Sequence, residues 1–181
     1  MEKTKLNKVS IRLINDAPLV SDEQLDTPKK AAKIVGDFIR NMDREVLCVV
    51  NFNSKLQPIN FNVVSVGTVN QSLAVPRDIL KSAILSNATN IMILHNHPTG
   101  ILTPSTEDIK TTSKLIDTCD MIGIPLLDHI IVGPKRDEFF SMKMKEVVKF
   151  NKSVNYEVSL EFLKFKEPFC VRFGITYSFY Y

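Results

Sequence analysis

Short apolar segments that alternate with helical patterns constrain the fold of this chain more than any other feature. The segments "REVLCVVNF" (44–52), "NIMIL" (90–94) and "IPLLDHIIVG" (124–133) are short, rich in branched side chains and nearly continuous in their apolar character. Such segments are typical of strands buried within a sheet. Between them, apolar residues recur at the spacing of amphipathic helices. The alternation predicts an α/β fold in which helices flank a central mixed β-sheet.

The first half of the chain contains a predicted helix and a predicted β-hairpin. The helix spans 26–43, where Thr27 can act as the N-cap and Pro28 suits the first helical position. The segment "PINFNVVSVGTV" (58–69) follows the turn-rich "NSKLQ". We therefore expect it to pair with the strand that precedes it.

Two further helices are predicted on either side of the strand at 90–94. One spans 76–88 and begins at a proline, and the other spans 105–123. The second ends at Gly123, because glycine readily adopts the left-handed conformation of a helix terminus. The predicted core-facing positions of all three helices are Ala31, Ile34, Val35, Phe38, Ile39, Met42, Ile79, Ala83, Ile84, Ile109, Leu115, Ile116 and Cys119.

Composition and charge narrow the class of protein. A length of 181 residues is enough for one domain with its own hydrophobic core. The net charge of +3 falls well short of the clustered positive charge that indicates nucleic-acid binding. The three cysteines form no CxxC pair, and no apolar run approaches the roughly 18 residues of a membrane span. These features predict a soluble cytoplasmic protein without a membrane segment.

The composition changes near residue 150. All four tyrosines and six of the eleven phenylalanines lie between Phe150 and Tyr181. We therefore divide the chain into a domain at 1–150 and an aromatic-rich extension at 151–181, whose structure the sequence does not assign. The extension is a candidate for self-association, and the oligomeric state is left open.

The stretch "LHNHPTG" (94–100) contains two of the three histidines of the chain. Residues i and i+2 of a strand point to the same face, so His95 and His97 can direct their imidazoles at one point. The following "TPSTED" begins the next helix and places Asp108 where its carboxylate can face the strand end. For an isolated H-x-H, two solvated loop histidines are the simpler interpretation. Two imidazoles, a carboxylate and a water form the open site of a catalytic zinc.

The spacing of these residues resembles a known motif. In "HNHPTGILTPSTED", H-x-H is followed by seven residues, Ser105, two residues and Asp108. This pattern resembles the JAMM motif of the JAB/MPN-plus metalloproteases. The longer run at 83–133, with "VPRD" before it and "SVGTVN" upstream, is similar to the RadC-like branch of that superfamily. The likeness covers roughly residues 30–142. We expect a short form, without the helix-hairpin-helix segment of the longer members.

The resemblance implies a fold, a cofactor and a set of site residues. The fold is the JAB/MPN type, a mixed sheet flanked by helices and related to the cytidine-deaminase-like architecture. His95, His97 and Asp108 would be ligands of Zn²⁺, and Ser105 would steady the oxyanion or the metal-bound water. Glu45, at the head of "EVLCVVNF", would act as general base and then as general acid.

Two of these implied roles compete with simpler interpretations. Without the resemblance, Glu45 is a solvated acid at a strand edge; with it, Glu45 ranks ahead of the acidic residues Asp43, Asp78 and Glu107. The Ser-x-x-Asp spacing of Ser105 also resembles a helix capping box. Thr103, followed by a proline, is a competing cap.

The function implied is that of a zinc-dependent hydrolase of the JAMM type, and peptide or isopeptide cleavage is the natural reaction. Its substrate is an unknown protein or peptide. A different class of function is a DNA-associated role in repair or in mobile elements, in which binding is the main activity. This alternative rests on associations of the RadC-like family.

Other metal chemistries fit the sequence less well. HNH nucleases disperse their named residues over a ββα unit, whereas the letters are contiguous here. Zinc deaminases use H-x-E with a downstream P-C-x-x-C, and the chain has neither. His129, in "LLDHIIVG", allows an alternative set of three histidine ligands. Because Asp128 and His129 are adjacent in a strand, only one can approach the site, and a supporting role is favoured for either.

Overall fold

Eight helices and strands lie in the part of the chain that the computed structural model describes, namely residues 10, 12–16, 18–19, 25, 27–67 and 75–150. The predicted extension at 151–181 lies outside the described residues. The elements are α1 (Pro28–Ile39), β1 (Val46–Phe52), β2 (Pro58–Val66), α2 (Pro76–Leu85), β3 (Asn90–Asn96), α3 (Thr106–Ile122), β4 (Leu126–Val132) and β5 (Phe139–Ser141).

The described strands form one five-stranded sheet in the order β2-β1-β3-β4-β5. Strands β3 and β4 are parallel, and the remaining neighbours are antiparallel. The predicted hairpin of β1 and β2 and the predicted mixed sheet are therefore confirmed. Strand β5 was not predicted from the sequence. It contains three residues, which are too few to show a periodic pattern.

Helices cover both faces of the sheet, as an α/β fold requires. Alternate side chains of β1 serve opposite faces: Cys48 packs on the α1 side, whereas Val49 packs with residues of α2 and α3. Strand β3 divides in the same way, with Leu94 on the α1 side and Ile93 on the other. His95, two residues after Ile93, therefore points to the side of α3.

Helix α1 begins as predicted but presents a different face. The Thr27 hydroxyl accepts the backbone N–H of Lys30 at 3.3 Å. Phe38 and Met42 were predicted to face the core, yet they are 42% and 41% exposed. The helix packs closely on β4 through Gly36, where a Cβ atom would lie 2.9 Å from a methyl group of Val132. Because Gly36 faces the sheet, Phe38, two residues later, lies at the edge of the contact between helix and sheet. Met42 lies beyond Ile39, where the helix ends.

Helices α2 and α3 agree with the predicted faces at most positions. Ile79 and Ala83 are buried, but Ile84 is 59% exposed, because it lies about 140° around the helix from Ile79. In α3, the predicted apolar residues Leu115, Ile116 and Cys119 are buried and Ile109 is half-buried. Helix α3 ends at Gly123, which has a φ of +72°. No helix among the described residues is long and apolar enough to cross a membrane.

Candidate metal centre

The end of β3 places two imidazoles side by side. His95 lies in the strand and His97 directly follows it, and their Nε2 atoms are 2.9 Å apart. The backbone N–H of His97 donates to the carbonyl of Val132 at 2.9 Å, which continues the pairing with β4. Both histidines are buried, at 4% and 8% exposure. The extended backbone thus directs both rings to the same point.

A turn after β3 fixes the ring of His97. The N–H of Gly100 donates to the carbonyl of His97, and Gly100 has a φ of +79°, a conformation that glycine adopts without strain. The turn returns the carbonyl oxygen of Ile101 to within 2.5 Å of His97 Nδ1. A carbonyl can only accept, so Nδ1 carries the hydrogen, and in the neutral ring Nε2 presents its lone pair.

The first turn of α3 supplies the carboxylate. Asp108 Oδ1 is 3.5 Å from His95 Nε2, and Asp108 Oδ2 is 3.6 Å from His97 Nε2. The ligand atoms of His95, His97 and Asp108 lie within 4.8 Å of one another. Among the described residues, these three side chains form a cluster that could hold a metal ion. The structure therefore brings together the three side chains proposed as metal ligands.

The electrostatics of this cluster favour a bound cation. Burial lowers the pKa of His95 to about 4, so its ring is neutral at neutral pH. Burial also lowers the pKa of His97, but Asp108, the Ile101 carbonyl and Glu45 outweigh it and raise that pKa overall. Burial disfavours the charged form of Asp108, but His97, His95 and Ser105 hold its pKa well below the usual range. Two ring nitrogens thus face a carboxylate that stays ionised.

Ser105 is the N-cap of α3 and holds the carboxylate in place. Its hydroxyl accepts the N–H of Asp108 at 3.1 Å and donates to Asp108 Oδ2 at 2.6 Å. Its own N–H donates to the same oxygen at 2.7 Å. The capping box is confirmed, and the competing cap at Thr103 is wrong, since the helix begins at Thr106. A part for Ser105 in steadying an oxyanion stays a prediction.

Glu45 precedes β1 and lies beside the histidines. Leu47 pairs with His95 across β1 and β3, which brings Glu45 to the end of β3. Its carboxylate is close enough to His97 to help raise the pKa of that ring. The backbone carbonyl of Glu45 accepts the N–H of Gly67 at 2.7 Å. The sheet therefore holds the predicted general base near the cluster.

Comparison with known families agrees with this architecture. The family model described as "RadC-like JAB domain" matches residues 25–147. The chain belongs to the RadC-like JAB domain family. A UPF0758 protein of Desulfitobacterium hafniense is 38% identical over 137 residues, 76% of this chain and 59% of that protein. A UPF0758 protein of Clostridium perfringens is 39% identical over 125 residues, 69% and 54% of the two chains. The chain thus spans little more than half the length of these relatives.

The asparagine between the two histidines of this RadC-like domain has a supporting function that the sequence analysis missed. Asn96 is fully buried, on the face of β3 opposite the imidazoles. Its Oδ1 accepts the N–H of Val46 at 2.7 Å, and its Nδ2 donates to the carbonyl of Arg44 at 3.1 Å. The side chain therefore holds the backbone on both sides of Glu45. The sequence signal is the alternation of side chains in a strand, which directs Asn96 to the face opposite His95 and His97.

His129 lies behind the cluster of this RadC-like domain. Its Nε2 contacts His95 Nδ1 at 2.7 Å, which is the ring nitrogen directed away from His97. Three histidines therefore do not converge as one ligand set. Asp128 points to the opposite side of β4, where its carboxylate accepts the Ser141 hydroxyl at 2.5 Å. The sequence predicts a supporting role for either residue, and these contacts explain why each is buried.

The other acidic residues considered as general bases form ion pairs elsewhere. Asp43 pairs with Arg44 at 2.9 Å, and Glu107 pairs with Lys110 at 2.8 Å. Asp78 lies 3.3 Å from Lys81 in the first turn of α2. None of these three carboxylates belongs to the described cluster of ligand atoms.

Proposed function

We propose that this RadC-like domain is a zinc-dependent hydrolase of the JAMM type, a metallopeptidase that cleaves a peptide or isopeptide bond. The observation that carries the proposal is the convergence of His95, His97 and Asp108 on one point at the end of β3. Its substrate would be a protein or peptide, and we expect the domain to work in the cytoplasm.

The side chains present fit zinc. Two imidazole nitrogens and one carboxylate oxygen are the ligand types that zinc prefers, and three protein ligands leave a further position for water or substrate. His97 already carries its hydrogen on the nitrogen that faces the Ile101 carbonyl. Zinc bound by these residues would polarise a carbonyl and allow water to act as a nucleophile near neutral pH.

Each neighbouring residue then has a chemical task. Glu45, held by the backbone contacts of Asn96 and Gly67, takes a proton from the attacking water and returns it to the leaving nitrogen. Ser105 steadies the oxyanion after its hydroxyl turns away from Asp108. The N–H of Ser105 keeps its hydrogen bond with Asp108 during that rotation.

Metal content, measured by elemental analysis of the purified full chain, tests the proposal. We expect about one zinc per chain, lost in His95→Ala and in Asp108→Asn. Asp128→Asn is the matched control, because it changes a buried carboxylate outside the cluster and should keep the metal. Absence of metal in the wild-type chain, or its retention in Asp108→Asn, would reject the metal site.

A screen of peptide and isopeptide substrates tests the reaction itself. The metal-loaded wild-type chain should cleave a substrate that Glu45→Gln, with its metal retained, does not cleave. Equal activity of Glu45→Gln would show that another group moves the proton. DNA association stays the second prediction, and binding to single- or double-stranded DNA that falls steeply with salt would support it.

A further inference from the structure

A chain of hydrogen bonds runs from the back of His95 to a backbone carbonyl in α3. His95 Nδ1 lies 2.7 Å from His129 Nε2. His129 Nδ1 in turn lies 2.5 Å from the hydroxyl of Thr112. The hydroxyl of Thr112 donates to the carbonyl oxygen of Asp108, one helical turn earlier, at 2.6 Å. The chain therefore begins at one candidate ligand and ends on the backbone of another.

Donation by the Thr112 hydroxyl to the Asp108 carbonyl assigns the other hydrogens along the chain. The carbonyl can only accept, so the Thr112 hydrogen points at it, and the Thr112 oxygen accepts from His129 Nδ1–H. Nε2 of neutral His129 is then an acceptor and takes the hydrogen of His95 Nδ1. The lone pair of neutral His95 is consequently on Nε2, the atom that faces His97 and Asp108.

We propose that Thr112 and His129 are positioning residues that hold His95 in the tautomer able to bind the metal before any metal arrives. The proposal rests on the proposed function, since it assumes that the cluster binds a metal. His97 obtains the same tautomer directly from the Ile101 carbonyl. Two backbone carbonyls, through different routes, thus favour the hydrogen on Nδ1 of each neutral ring, which leaves Nε2 as the nitrogen that can bind the metal.

The surroundings of the chain protect this arrangement. Thr112 and His129 are 0% and 2% exposed, so bulk water does not compete for their hydrogen bonds. In the reversed arrangement each hydrogen bond of the chain would run in the opposite direction, with Thr112 donating to His129 Nδ1. The Thr112 hydrogen would then be withdrawn from the Asp108 carbonyl. It would also place a hydrogen on His95 Nε2, between the two imidazoles, where it would obstruct the metal.

Thr112 offers a matched pair of variants that touch no candidate ligand side chain. Thr112→Val removes the hydroxyl while keeping the branched shape, and Thr112→Ser keeps the hydroxyl. The dissociation constant for zinc alone is measured for the full chain by competition with a chromophoric chelator. We expect Thr112→Val to bind zinc about 10- to 100-fold more weakly than the wild type, and Thr112→Ser to restore most of the affinity. Thermal unfolding checks that both variants fold.

Nitrogen-15 NMR spectra of the histidine rings in the metal-free chain provide a readout independent of metal and of activity. At neutral pH we expect the hydrogen on Nδ1 of both His95 and His129 in the wild type, and a mixture of tautomers in Thr112→Val. A hydrogen on His95 Nε2 in the wild type, or unchanged zinc affinity in Thr112→Val, would overturn the proposal. A chain with the expected tautomers and affinities but no hydrolysis would instead contradict the proposed function.

Discussion

Asp128 and Asp108 are two carboxylates of this domain with opposite surroundings. Asp128 is 1% exposed and receives three donors: the Ser141 hydroxyl at 2.5 Å, the His129 N–H at 2.7 Å and the Lys143 N–H at 3.0 Å. Asp108 receives the hydroxyl and N–H of Ser105, and its other neighbours are the two Nε2 atoms of the imidazoles. Asp128 is surrounded by hydrogen-bond donors, whereas Asp108 also faces two imidazole nitrogens.

The pKa values of the two carboxyl groups reflect this difference. Burial raises the pKa of Asp128 despite its hydrogen bonds with Ser141, Lys143 and His129. For Asp108 burial acts in the same direction, but the imidazoles and Ser105 prevail and lower the pKa. A buried carboxylate with enough donors is a structural element complete in itself. The Asp108 carboxylate, which faces two imidazole nitrogens, would be completed by the cation of the proposed function.

Truncation of Asp128 should have the largest effect on stability. Asp128→Ala leaves three donors without their acceptor, at a cost of about 3 kcal/mol in the free energy of unfolding. Asp128→Asn should lose about 1 kcal/mol or less, because its amide oxygen still accepts and Ser141 can accept from its amide group. Urea denaturation of the two variants measures the difference. Equal losses would show that the hydrogen bonds do not stabilise the fold.

Removal of the Asp108 charge should leave the fold intact and abolish stabilisation by metal. At a free zinc concentration of 100 times the dissociation constant, the wild type should gain about 2.7 kcal/mol. Asp108→Asn should gain almost nothing, whereas Asp128→Asn should gain as much as the wild type. Thermal unfolding with and without zinc measures this gain. A full gain in Asp108→Asn would remove the distinction between the two carboxylates.

The raised pKa of Asp128 predicts a smaller, pH-dependent effect. Folded Asp128 holds its proton more tightly than the unfolded chain, whose carboxyl has a pKa of 3.8. Its contribution to stability is therefore present below that pKa and is lost as the pH rises towards the folded value. Asp128→Asn cannot lose this contribution, so its stability relative to the wild type should increase with pH from about 4 upward. Urea denaturation at several pH values checks the sign, and a relative stability that decreases with pH would contradict it.

Glu107 provides the smallest expected effect. It lies next to Asp108 in sequence, but its carboxylate is exposed and pairs with Lys110 at 2.8 Å. Glu107→Gln should change the free energy of unfolding by less than about 0.5 kcal/mol and should leave the zinc content unchanged. Elemental analysis and urea denaturation test both statements. Loss of zinc in this variant would mean that charge near α3, rather than ligand geometry, determines binding.

Local rules account for the part of the site that the sequence predicted. The period of two in a strand paired His95 with His97, and the capping pattern at Ser105 placed Asp108 in the first turn of α3. The contacts of Asn96 and His129 join residues that are 50 and 34 positions apart in the chain. Strand register determines those contacts, and no local pattern contains them.

The fold likewise has parts that local sequence patterns predict and parts that depend on contacts between distant residues. The buried strands and the hairpin follow from hydrophobic pattern and turn residues, which act over a few positions. The exposure of Phe38 depends on the approach of Gly36 to Val132, which a helical pattern alone does not contain. Strand β5 is defined by its pairing with β4 rather than by its own three residues.

The position of Asn96 has a consequence for protein engineering. Grafting the H-x-H string onto the strand of another scaffold would transfer the two imidazoles, since they need only strand geometry. The asparagine would then face the opposite side of the new sheet without the Val46 N–H and the Arg44 carbonyl. A transplanted site would thus contain the two histidine ligands but would lack a Glu45 whose backbone is held in place. The smallest portable unit is the paired β1 and β3, with the residues that lead into β1, rather than a single strand.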